Sequence, residues 1–259
     1  MRRTRTSGLL IAPALLGLAV IVVPLVALLL RVEWGRLPAL LGLANAWPAL
    51  RLSAITTSVS LVLCLLLGTP LAWWLARAEG RWVPPVRAVV TVPVVLPPVV
   101  GGVALLMAWG RTGLVGGPVF QAWGVSVPFT PVAVVLSQTF VALPFFVLAV
   151  EGAFAALDRE LFDVAATMGA DDLRTFTLVA LPMIGPGLAS GAVLAWARAL
   201  GEFGATITFA GSFVGRTQTA PLAVYVALDQ DPAAAMALAV VMLGLSVAVL
   251  ALLRGRWLR

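Results

Sequence analysis

Six long apolar stretches constrain this chain more than any other feature. They lie at residues 8–30, 52–76, 86–109, 131–150, 183–209 and 233–253. About 20 apolar residues, rising 1.5 Å each in an α-helix, cross a hydrocarbon layer of ~30 Å. Inside that layer no water satisfies the backbone, so each stretch is predicted to be helical. The chain is 61% apolar and only 11% charged, whereas a soluble domain averages about 25% charged. The predicted fold is therefore all-α: one polytopic membrane domain over residues 1–259 with six transmembrane helices.

The stretches differ in how they are interrupted. The first follows Arg2, Arg3 and Arg5 and runs from Gly8 to Leu30. A cleavable signal peptide has an apolar core of only ~7–15 residues, so this run is predicted to be a retained span. The second carries Trp73 and Trp74 near one end, predicted as interface anchors. The third is broken by Pro93, Pro97, Pro98 and Gly101-Gly102, the fourth contains Pro144, and the fifth has Pro186 in its first turns. Membrane helices tolerate such breaks where neighbours or a water-filled cavity satisfy the freed backbone. Pro97 and Pro98 are accordingly candidates for a permeation pathway, or for a kink that serves packing.

All 17 basic residues are arginines, and the net charge is +6. In a soluble chain that charge would suggest nucleic acid. Here the arginines flank apolar runs, so membrane topology accounts for them and no nucleic-acid partner is expected. With the N-terminus in the cytoplasm, eleven arginines fall on the cytoplasmic side and five outside, with Arg198 inside a span. That excess predicts both termini inside, and it places residues 155–182 in the cytoplasm.

Absences exclude several chemistries. The chain has no His, no Lys and one Cys. A Walker A loop needs its lysine, so ATP driving this protein would have to be hydrolysed by another subunit. A His-dependent triad or a His/Cys metal cluster is impossible. The nearest approach to a serine-nucleophile motif, Gly187-Leu-Ala-Ser190-Gly191, has the wrong spacing. No catalytic residue, metal ligand or cofactor is expected in this chain. Cys64 lies in an apolar run and is predicted to be a small buried side chain.

The longest polar interruption runs from Asp163 to Pro182. Asp163 is predicted to cap a short helix ending near Gly169, where a left-handed residue costs little. Asp171 is predicted to start a second short helix, with Asp172 at its positive end. The result is a helical elbow outside the hydrocarbon. Leu161, Phe162, Ala165, Leu173 and Phe176 recur at spacings that give it an apolar face for packing or docking.

Within the fifth stretch, Arg198 and Glu202 are four residues apart, predicted on one helical face. A charge at the bilayer centre costs at least ~2.5–3.5 kcal/mol, and pairing reduces that cost. The pair is either an ion pair locking span five to its neighbours or a lining or gate element of a pathway. Gly201 and Gly204 allow close helix approach or mark a point of unwinding. Uncharged Gln138, Ser190, Thr206 and Thr208 suit a weak, multi-site path for an anion.

The elbow carries a resemblance to a known family. Its spacing, acidic-x-Ala-x-x-x-Gly-x9-Val-x-Leu-Pro at Asp163, Ala165, Gly169, Val179, Leu181 and Pro182, resembles the "EAA" loop of membrane permeases of ABC-type importers. It departs from that pattern with Asp at 163, Val at 164 and Val at 179. The stretches Leu67–Arg77, Pro93–Gly102, Ala197–Gly211 and Gly215–Tyr225 are similar to the oxyanion branch of these permeases. Arg216-Thr217-Gln218-Thr219 with Pro221-Leu222 most resembles the molybdate type, with sulfate/thiosulfate and tungstate permeases as near relatives.

The resemblance implies a type I-like permease fold in a bacterial or archaeal inner membrane, and a pore made by two copies of the chain. It implies ATPase subunits, holding ATP and Mg, that dock on the elbow at Asp163, Ala165, Ala166, Thr167, Met168, Gly169, Ala170, Asp171 and Arg174. An extracytoplasmic oxyanion-binding protein would deliver the ion. The rival class is a secondary transporter that needs no ATPase.

Overall fold

The computed structural model describes residues 8–43 and 46–257. These residues form thirteen α-helical segments, one short 3-10 turn at Trp34–Arg36 and no strand. In order they are α1 (Gly8–Arg31), α2 (Leu37–Leu43), α3 (Ala46–Arg77), α4 (Val83–Val95), α5 (Pro98–Trp109), α6 (Gly116–Trp123) and α7 (Pro131–Ala155). After them come α8 (Glu160–Thr167), α9 (Asp172–Met183), α10 (Gly185–Leu200), α11 (Gly204–Phe209), α12 (Ala220–Gln230) and α13 (Pro232–Trp257). Arg2, Arg3, Arg5 and Arg259, which entered the charge count, lie outside the described residues.

Four helices, α1, α3, α7 and α13, carry stretches long and apolar enough to cross a membrane unaided. Two bent pairs bring the number to six: α4 with α5, bent by 118°, and α9 with α10, bent by 77°. The first bend falls at Leu96-Pro97, because Pro98 starts a new helix and lacks the amide that would continue the old one. Several boundaries differ from expectation. The second span begins at Ala46 rather than at residue 52, with Pro48 tolerated in its first turn, and it widens into a π-turn at Cys64–Gly68 just before Pro70. The fourth span extends to Ala155. The fifth is not continuous to residue 209: α10 stops at Leu200 and α11 resumes at Gly204.

The core is organised along α7. Phe146, Val147 and Val150 of this helix are fully buried. At its C-terminal end, Ala153 faces Gly187 of α10, and Arg87 of α4 pairs with Glu151. Near its middle, Phe140 lies against Gly101 of α5. At its N-terminal end, Ala133 and Val134 pack with Leu105 of α5 and Phe209 of α11. Both α4–α5 and α10–α11 therefore pass along α7 from its C-terminal to its N-terminal end, with the α4–α5 pair sharply bent on the way.

The two broken crossings also meet. A Cβ on Gly204 would lie 2.7 Å from Pro98 Cβ, and one on Gly102 would lie 2.8 Å from the Ala205 carbonyl oxygen. Backbone cannot retreat as a flexible side-chain tip can. Gly102→Val and Gly204→Val are each expected to destabilise the protein by about 1–3 kcal/mol. Gly152→Ala, where nothing lies within 4 Å, serves as the control. Thermal unfolding of the detergent-solubilised protein checks the contrast.

Two further features depart from the sequence reading. Trp74 is 44% exposed, as an interface anchor would be, but Trp73 turns into the protein. Neighbouring residues on a helix point about 100° apart, so only one of the two can face outward. The α1 stretch Ile11–Arg31 has none of its residues buried, and its main contact with the bundle is along α13.

Candidate functional site: the elbow and the broken spans

The elbow begins where α7 ends. Asp158 Oδ1 accepts the Glu160 amide at 3.1 Å, so α8 starts one turn before the expected cap. Asp163 is thus not the cap but an exposed residue in the first turn of α8, where its charge still favours the helix dipole. Gly169 has φ +81° and closes α8. The Ala170 amide donates to the Ala165 carbonyl at 3.0 Å and the Gly169 amide to the Ala166 carbonyl at 3.0 Å, the paired bonds of a left-handed helix stop. Asp171 then caps α9, its Oδ1 accepting the Arg174 amide at 2.7 Å.

The elbow has two faces. Phe162 and Phe176 point inward onto Trp73, at ring-centroid distances of 5.5 Å each, and Phe154 of α7 completes the cluster at 5.0 Å. Ala165 is buried and Leu161 half-buried. Leu173, expected on the same face, instead points outward with Val164 and Met168. Met168 is 83% exposed. Asp163, Ala166, Thr167, Gly169, Asp171 and Arg174 are exposed around this outer apolar tip, and Ala170 is half-buried.

The second candidate region lies at the level of the breaks. Arg198 Nη1 donates to Glu202 Oε2 at 2.9 Å. The expected pair is present, but not on one helical face, because the helix ends before Glu202. That residue sits in the break with its side chain 1% exposed, and its Oε1 accepts the Ala205 amide at 2.8 Å. It thereby satisfies the start of α11, and both carboxylate oxygens are occupied. Arg198 keeps 28% of its side chain exposed and lies 5.9 Å from the Phe145 ring centroid.

The remaining pathway candidates do not converge on one site. Pro97 and Pro98 are exposed at the bend. Ser190 is exposed and donates to the Pro186 carbonyl. Gln138 and Thr206 are fully buried inside the chain, which removes them from any surface that two copies could share. Gln138 Nε2 donates to Thr57 Oγ1 at 3.3 Å, while its Oε1 and Thr206 Oγ1 have no partner among the described residues. Gln138 belongs to a hydroxyl seam that sequence reasoning missed. Thr139 donates to Ser60 Oγ at 3.1 Å, and Ser53 Oγ accepts the Ala220 amide at 2.7 Å. The spacing of Ser53, Thr56, Thr57 and Ser60 is helical and was a readable signal for one polar stripe on α3.

Residues 68–259, which include the elbow and both broken crossings, match the family described as the binding-protein-dependent transport system inner membrane component. The chain belongs to this family. Among curated relatives, this inner-membrane component is 49% identical over 230 residues to the molybdenum transport system permease protein ModB of Mycobacterium tuberculosis. That match covers 89% of this chain and 87% of the relative. It is 35% identical to ModB of Escherichia coli K12, covering 82% and 93%. It is 36% identical to a probable transport system permease protein, NifC, of Clostridium pasteurianum, covering 78% and 71%. Its fold is shared with a chain of a bacterial ABC transporter for alginate import, at TM-score 0.60 and 16% identity over 91% of this chain and 92% of that one. A second structure, of a bacterial alginate ABC transporter in complex with an alginate pentasaccharide-bound periplasmic protein, matches at TM-score 0.60 and 14% identity, covering 91% of each chain. The all-α polytopic fold expected from the sequence is thus the fold of a transport component.

Proposed function

We propose that this component is the membrane-spanning subunit of an ATP-driven importer for molybdate or a tetrahedral oxyanion of the same shape. The names of the relatives above support the substrate class. The elbow carries the coupling reading: its inner face is fixed to α3 and α7, while its outer apolar tip, Val164, Met168 and Leu173, is covered by none of the described residues. An exposed apolar patch rimmed by polar residues is the form of a protein-docking surface. Its occupant in this reading is a cytoplasmic ATPase subunit that holds ATP and Mg, and a second copy of the chain completes the pore.

The chain's own contribution is mechanical and electrostatic. Motion imposed on α8 and α9 passes to α10 through the 77° turn at Ile184, and the 118° bend at Leu96-Pro97 is the second hinge. Domain rotation about such points changes which side of the pore is open. A transported dianion must not be held tightly, and Glu202 offsets the charge of Arg198 at the level of the breaks. Selectivity therefore rests mainly with the extracytoplasmic binding protein. The Glu202 contact with the α11 amide favours a structural role for the pair over a gate.

The test is uptake into vesicles holding the chain, its ATPase and a candidate binding protein, with molybdate, tungstate and sulfate compared. Uptake of molybdate but not sulfate, dependent on ATP, is expected. A preference for sulfate moves the substrate and leaves the coupling intact. Uptake that persists without the ATPase overturns the coupling and favours a secondary transporter. Exchanging the binding protein for one that docks but carries another oxyanion should change the ion transported; unchanged strictness would place selectivity in this chain.

A further inference from the structure

Trp73 joins four helices: its ring meets Phe154 of α7, Phe162 of α8 and Phe176 of α9. Arg77, one turn further along α3, lays its guanidinium 4.7 Å from the Trp73 ring centroid and 4.5 Å from that of Phe162. The two rings also touch each other edge-on at 5.5 Å, so the guanidinium packs against both from one side, a directional contact that lysine reproduces poorly. Arg77 is exposed, and among the described residues no carboxylate lies within 4.0 Å of it, so the two rings are its side-chain partners.

The other polar link between α8 and the end of α3 is weak by comparison. Arg159 meets Glu79 at 3.4 Å, with both side chains about four-fifths exposed, and exposed pairs of that kind contribute little. Between these contacts lies a cavity of about 330 Å³ lined by Arg77, Glu79, Phe154, Arg159, Phe162 and Asp163, so α8 is not held there by continuous packing. The helix that bears the exposed tip is thus fixed to the spans through this aromatic stack together with the buried Ala165.

We infer that Arg77 is a positioning residue, a clamp laid across the touching rings of Trp73 and Phe162, that makes α8 move as one body with α3 and so transmits partner motion from the elbow to the spans. The inference rests on the coupling role proposed above. Without the clamp, α8 can tilt into the adjacent cavity while the outer tip still binds its partner. The partner's motion is then lost in the joint.

The experiment uses the full chain reconstituted with its ATPase and binding protein, and reads oxyanion taken up per ATP hydrolysed. In R77A this ratio is expected to fall about fivefold or more, because the directional cation–π clamp is gone. ATPase co-purification and the KM for ATP should stay at wild-type values. R77K should recover part of the ratio, since it restores charge without the planar stack. F162L, which keeps apolar volume and removes a ring, should uncouple as R77A does. A wild-type ratio in both R77A and F162L overturns the clamp, including the case where their abundance in the membrane drops but the surviving protein is fully coupled. A wild-type chain that retains no ATPase overturns the coupling role itself, which is a separate failure.

Discussion

Gly169→Pro should reduce ATP-driven uptake by at least ~10-fold, the largest effect expected of any single substitution in the elbow. The residue has φ +81°, and proline is fixed near −65°. Nothing lies within 4 Å of where a Cβ would sit, so the obstacle is the backbone and not crowding. That separation gives an ordered series. Asn, which visits the left-handed region readily, should retain most of the uptake. A β-branched residue such as Val should lose much of it, since a strained backbone costs about 1–3 kcal/mol. Proline should lose nearly all, because the bonds from the Gly169 and Ala170 amides back to α8 cannot both form. Uptake and ATPase co-purification are the two readouts. Wild-type uptake in the proline variant would remove the elbow from the transport cycle.

The second large effect concerns the charged pair in the fifth span, and it is asymmetric. Arg198→Ala leaves Glu202, 1% exposed, with the Ala205 amide as its one remaining partner among the described residues. Breaking a buried pair in this way is expected to cost about 3–5 kcal/mol. Glu202→Gln should be far milder. The amide oxygen can still accept from Ala205 or from Arg198, and Arg198 retains partial access to solvent. In the double variant Arg198→Ala with Glu202→Gln the buried charge is gone, so most of the loss should return. Thermal unfolding in lipid nanodiscs and abundance in the membrane measure the cycle. Equal and additive losses from the two single changes would show that the residues do not act as a pair.

Much of this molecule follows from short-range rules. Hydrophobic run length gives the crossings, because the hydrocarbon admits nothing but satisfied backbone. The elbow's stop and restart are equally local. Gly169 closes α8 and Asp171 caps α9 because each acts on amides within a few residues of itself. Even the bend at Leu96-Pro97 is written in a missing amide.

Local rules stop short where a residue's role depends on what lies beside it. Asp163 looked like a cap, but Asp158 had already taken that place. Arg198 and Glu202 looked like partners on one helix, but Glu202 lies in a break and holds the start of the next helix. The break itself is stable because Gly204 lets α11 pack against Pro98 of a segment about a hundred residues away. Gln138 and Thr206 looked like pathway groups, and the packing of α7 against its neighbours put them out of reach of any shared surface.

Run length, turn chemistry and composition act over a few residues, and they suffice for the all-α crossings, the elbow and the absence of a His- or Lys-based site. Packing between distant segments is what brings the two broken spans together, turns Trp73 inward to join four helices and lays Arg77 on Phe162. Periodicity specifies which face of a helix is apolar or polar. It does not specify which distant helix will meet that face, and that choice is settled by how all the segments fill space together.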